Sequence, residues 1–138
     1  MNLAEVIQEQ WADDGTLNGL LASTRVMVDT YYAEVPVFPY ATLEVQGGDH
    51  GMKHNDGSAV RTVVVVVSIF HEKSSYDECK AIAEAVQAAF NRAGFNLSGS
   101  DKVLDVLVST PAETQDPETG EWTFTVSLTC MVYLSAGV

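Results

Sequence analysis

Positive charge is what this sequence has least of: seven lysines and arginines stand against nineteen aspartates and glutamates, a formal charge of −12 over 138 residues. A protein that wraps a phosphate backbone needs clustered Lys and Arg to displace counterions, and no such cluster is present. The acidity itself leaves three meanings open: repulsion from DNA, solubility at high concentration, or a basic partner. Cysteine is scarce too. Cys79 and Cys130 lack metal-type spacing and read as reduced core residues, so no disulfide framework is expected. The opening residues Met1 to Ile7 have no basic n-region and no uninterrupted apolar core, and no later run approaches membrane-spanning length. The expectation is a soluble, unsecreted chain with no membrane partner. Its length suits one domain over residues 1–138.

Catalytic signatures are missing as well. There is no Gly-x-Ser-x-Gly elbow, phosphate loop, dinucleotide fingerprint or Cys-x-x-Cys pair, so neither an enzyme nor a cofactor is expected. His50 and His54, with Asp49 and Asp56, form the one cluster resembling a metal or acid–base site. Ligands four apart serve a metal when a helix stacks them, and Gly47, Gly48, Gly51 and Gly57 make this stretch a poor helix, so a solvated loop is the favoured reading. His71 has no carboxylate or nucleophile partner nearby in sequence and reads as a strand-end histidine. Trp11 and Trp122 read as core or interface anchors.

What is present is organised around residues 60–95. Five consecutive valines, Val63 to Val67, lie in a run from Val60 to Phe70, and β-branched side chains favour a pleated strand over a helix. The period then changes. Cys79, Ile82, Ala83, Val86, Phe90 and Ala93 recur three or four apart, the apolar face of a helix. Ser75 and Glu78 have the spacing of a capping box, and Gly94 suits the left-handed position after the helix. Before this unit, Leu3 to Trp11 reads as a short amphipathic helix, and Thr16 as the cap of a second around Leu17, Leu20 and Leu21. Residues 23–38 give no clear pattern beyond a possible strand at Val26-Met27-Val28. Tyr40 to Gln46 alternates as a half-buried strand, and Gly47 to Ser58 reads as a long loose loop. Val103 to Thr110 is a third strand, Glu113 to Glu121 an acidic hairpin tip, and Trp122 to Leu134 the fourth strand, with one apolar face throughout.

The order α-β-β-α-β-β predicts an α+β domain: a sheet of about four strands, mixed or antiparallel, with its helices packed on one face. On the valine strand Val63, Val65, Val67 and Ile69 fill one side, while Val64, Val66 and Phe70 fall on the other. With so few helices, the second side calls for another copy of the chain as its cover.

Four features in order resemble the tail-completion family of long-tailed bacteriophages and gene transfer agents, the tail terminator or tail-to-head joining proteins. They are the N-terminal helical region, Phe38-Pro39-Tyr40-Ala41-Thr42-Leu43 opening a strand, the strand Arg61 to Phe70 running into the alanine-rich helix Cys79 to Val86, and the closing strand Phe124 to Leu134. The resemblance implies a structural virion protein of the tail-neck region, assembled in the host cytoplasm. It would form a ring, commonly hexameric, at the head-proximal end of the tail tube, stopping tube growth and meeting the head connector or stopper, with DNA passing through unbound. The expected interface residues are Val64, Val66 and Phe70 for burial against another subunit, and Gly47, Gly48, Met52, His54, Asp116 and Glu118 on two reaching arms. Three other readings compete: a different neck or baseplate ring component, a small metal-assisted enzyme using His50, His54 and Asp56, and an acidic adaptor that mimics DNA.

Overall fold

The computed structural model describes residues 3–28, 37–53, 57–97 and 99–135, with backbone alone for 47–53. Helices α1 (Leu3–Asp13) and α2 (Gly15–Leu20) and a single 3₁₀ turn (Ser23–Arg25) lead into β1 (Val26–Val28). Then come β2 (Tyr40–Lys53), β3 (Ala59–His71), α3 (Tyr76–Phe90), β4 (Phe95–Asn96), β5 (Lys102–Val108), β6 (Ala112–Gln115) and β7 (Trp122–Leu134). The strands form one seven-stranded sheet in the order β1-β2-β3-β7-β5-β4, with β6 also on β7. Only β1 runs parallel to its neighbour, Val26 to Val28 lying beside Ala41 to Leu43.

The four expected strands are the centre of this sheet, arranged β2-β3-β7-β5. The count of four was too low. The three additions are two to four residues long, too short to show a period in sequence, and each lies at an edge. The class is α+β as expected. One core gathers Ala4, Ile7 and Trp11 of α1 and Ile82, Ala83, Val86 and Phe90 of α3 over Ala41, Leu43, Val65, Val67, Ile69, Val126 and Leu128. Of the inward valines of β3, Val65 and Val67 are fully buried and Val63 is half-buried, as are Val64 and Val66 on the outward side.

Local signals account for the connections. The Trp11 indole donates to the Leu21 carbonyl at 2.8 Å inside the core, closing α2 onto α1. The cap of α2 is Asp14, whose Oδ1 accepts from the Leu17 amide at 2.9 Å, rather than Thr16. The side-chain amide of Gln8 donates to the Val26 carbonyl at 2.6 Å, seating β1 against α1. Ser75 precedes α3 without capping it, so the expected capping box is not formed. Glu78 instead turns to His71, its Oε1 3.3 Å from Nε2, within ion-pair distance but out of hydrogen-bond geometry. After α3 the left-handed residue is Arg92 (φ 64°), not Gly94. Its amide donates to Val106 and its guanidinium pairs with Asp105 at 2.9 Å, and these two bonds to β5 hold the unusual backbone in place.

The largest revision concerns residues 47–53, read as part of a loose loop. They continue β2, pairing Asp49 with Thr62, Met52 with Val60 and Lys53 with Ala59. Between Gln46 and Asp49, and again between Asp49 and Met52, the register slips by one residue, so the segment carries two bulges in its glycine-rich stretch.

Candidate functional site

The helices cover one face of the sheet, and the other face is where the sequence placed its interface. Four rows cross it. Tyr40 lies beside Phe70, Thr123 and Thr114; Thr42 beside Ser68, Thr125 and Ala112; Gln46 beside Val64, Thr129 and Leu107. Glu44 lies beside Val66 and Ser127, and the Ser127 amide donates to Ser109 Oγ at 2.9 Å. Glu44 is the one charged side chain in these rows. For a chain of −12 this is an unusual allocation, since most of its described acids fall elsewhere, on α1, on α3, around the β6–β7 turn and at Asp101 and Asp105 of the far end.

Val64, Val66 and Phe70 are brought together as expected, in one file along β3, and all three are half-buried. Their setting is more polar than the valine run suggested. Period-two alternation on β7 puts Thr123, Thr125, Ser127 and Thr129 on this face, so it is a hydroxyl surface with a central apolar stripe. At one end the stripe becomes a stack, with Phe70 and Tyr40 ring centroids 4.8 Å apart and Phe38 5.6 Å from Tyr40.

The other expected interface residues are not gathered here. Gly47, Gly48 and Met52 lie on the bulged half of β2, toward the end of the sheet where Ala59 pairs with Leu134. Asp116 and Glu118 lie at the opposite end, past the pairing of Gln115 with Trp122. Asp116 is committed to the turn: its Oδ1 accepts from the amides of Glu118 and Thr119 at 2.8 and 3.2 Å. His54 and Asp56 lie outside the described residues, and the side chains of Asp49 and His50 are likewise undescribed.

His71, the two thiols and Tyr76 are engaged structurally. His71 is buried, and its Nδ1 accepts from the Glu72 amide at 2.9 Å, which puts the proton of the neutral ring on Nε2, facing Glu78. The carboxylate that the sequence seemed to lack is thus supplied across the β3–α3 turn. Burial pushes the thiols of Cys79 and Cys130 up, to about 11 and about 12, so both are inert at neutral pH. A hydrogen bond to Glu113 raises the phenol of Tyr76, whose ring packs edge-on against Trp122 and Phe124 and roots the β6–β7 hairpin on α3. Among the described residues no His, Cys, Asp and Glu come together at metal-binding spacing, and no helix is long and apolar enough to cross a membrane.

This chain and its fold have counterparts. The profile of the tail completion protein gp17 family matches residues 6–135, nearly the whole chain. The chain belongs to that family. A tail completion protein of this kind is a structural component of the phage virion. Among solved structures, a chain from the virion of a native gene transfer agent particle superposes with a TM-score of 0.74 at 17% identity, covering 95% of this chain and 94% of that one. At that identity the likeness carries the fold. No curated protein matches in sequence.

Sequence reasoning passed over one residue of this tail completion protein. Arg61 keeps the inward register of Val63, Val65 and Val67, and a charge in that register on an otherwise apolar file was a readable signal.

Proposed function

We propose that this tail completion protein assembles as a ring, hexameric by family resemblance, at the head-proximal end of the tail tube. There it stops tube growth and presents a surface to the head connector. The supporting observation is the sheet face, charge-poor except for Glu44. Copies that each carry −12 repel one another, and the face holding Val64, Val66 and Phe70 is where two of them can approach with a single carboxylate each, Glu44, in the four central rows. The patch measures roughly 450 Å² in plane, from four strands about 4.8 Å apart and seven residues of about 3.3 Å rise. A standard interface buries about 800 Å² per partner, so this face supplies its centre and further contacts must complete it. The same acidity leaves the wall of such a ring without affinity for DNA threading through it.

The test is Val66→Asp. The residue is half-buried on a solvent-facing side, so the variant is expected to keep the wild-type circular dichroism spectrum and melting behaviour while failing to assemble, as read by light scattering or native mass spectrometry with and without tail tube protein. Rings of unchanged mass would remove this face from the interface, and global unfolding would show it to be part of the core.

A further inference from the structure

Strand β3 is longer than helix α3, which covers it. Strand β3 has 13 residues, about 43 Å at 3.3 Å per residue, whereas α3 has 15 residues, about 22 Å at 1.5 Å per residue. Burial along β3 accordingly begins only at Val65. In the overhang, on the helix side, lies a hollow of about 150 Å³ lined by Leu3, Val63, Leu97, Val132, Leu134 and Arg61. The guanidinium Nε of Arg61 is buried there and has no hydrogen-bond partner among the described residues. The other five side chains are aliphatic, so none of the lining side chains can accept from it. Whatever fills the hollow must bring both a carboxylate or carbonyl acceptor and an apolar group; a cavity of about this volume admits a group the size of benzene.

This chain carries such a segment at the far end of the same sheet. The β6–β7 turn presents Asp116-Pro117-Glu118, all exposed. Asp116 Oδ1 is occupied by two backbone amides, whereas the Glu118 carboxylate makes no hydrogen bond among the described residues, and the Pro117 ring beside it is an apolar wedge. The turn is preformed. The Asp116 amide donates to the Glu121 carbonyl at 2.9 Å, the Gly120 amide donates back to the Asp116 carbonyl at 2.8 Å, and the Trp122 indole ties the base to the Lys73 carbonyl at 3.1 Å. A preformed turn loses little freedom on docking. Gly120 holds φ 76°, a conformation this turn requires and side chains resist.

The turn cannot reach its own hollow. Ten residue steps of β3 separate His71, beside the turn, from Arg61, about 33 Å in an unbroken strand. We propose that the overhang hollow around Arg61 receives the Asp116–Glu118 turn of a second copy, Glu118 meeting the guanidinium side-on and Pro117 entering the aliphatic lining. Charge supports the pairing, with Glu113, Asp116, Glu118 and Glu121 around the turn and the Arg61 guanidinium in the hollow. Joining unlike ends makes the contact heterologous, and such contacts repeat until a ring closes. It is a second contact, on the helix side of the sheet, besides the sheet-face patch.

This inference rests on the ring reading, and a charge swap separates the two. Association is measured by native mass spectrometry and light scattering, with and without tail tube protein, for wild type, Arg61→Glu, Glu118→Arg and the double variant. Each single variant is expected to associate at least about tenfold more weakly, and the double variant to recover most of that loss. Since Arg61→Glu could fail to fold, Arg61→Leu is included: it removes a buried unpaired donor, so it should melt no lower than wild type yet still assemble poorly. Full assembly of Arg61→Leu and Glu118→Arg would overturn the docking contact and leave the ring standing. A wild type that stays monomeric even with tail tube protein would overturn both.

Discussion

Two buried thiols make the chain's stability sensitive to alkali. Cys79 and Cys130 are fully buried, and loss of hydration lifts them from an ordinary value near 9 to about 11 and about 12. Below pH 9 both states keep these protons and the thiols contribute no pH dependence. Between about pH 9 and 11 the unfolded chain releases them and the folded chain does not, so the unfolded state gains and stability falls as pH rises. Urea midpoints should therefore drop from pH 8 to pH 10.5, and the variant Cys79→Ala with Cys130→Ala should lose most of that slope; an unchanged slope would assign it to other groups. The cysteines were legible as core residues because Cys79 keeps the helix period and Cys130 the strand period. The capping box was misread for a reason the sequence does not display. Ser75 and Glu78 have the right spacing, but the fold brings His71 within 3.3 Å of Glu78, and a buried imidazole facing a carboxylate competes with the cap.

Helix α3 is the element on which most of the core depends. Ile82, Ala83 and Val86 are fully buried against β3 and β7. Ile82→Ala should cost about 2–5 kcal/mol, a large share of the roughly 5–15 kcal/mol that holds a domain of this size, and urea denaturation with an unchanged m-value would measure it. This helix and strands β3 and β7 were readable because each keeps one period over many residues. Bulges hid the rest. Along residues 46–52 of β2 the paired positions come three apart where β3 advances by two, so no alternation survives, and glycines there look like loop. On β5 one extra residue between Val103 and Asp105 turns Val106 inward and leaves Leu104 and Leu107 exposed, against the simple alternation. The turn acids and the valine stripe were legible as surface features. Their separation by the length of the sheet was not, because it depends on which strands pair.

At the scale of the molecule, charge decides what the protein avoids. With −12 overall, it should show no binding to duplex DNA by fluorescence anisotropy even at low salt, where phosphate attraction is strongest. Measurable, salt-sensitive binding would mean that a local basic surface outweighs the total. Arg61 and Lys102 lie toward the overhanging end of the sheet, and their sparseness makes each a considerable share of the chain's seven cations.

The overhang also divides a single ladder into two regimes of hydrogen exchange. Amides from Val65 to Ile69 lie under α3 and should be released by global unfolding, whereas those from Ala59 to Arg61 lie beyond α3 at the half-buried end of the strand and should exchange through local fraying. Within one unbroken strand, then, deuterium should enter from the Ala59 end and slow toward Val65. A docked neighbour would erase that gradient from the outside, without any change in the strand itself.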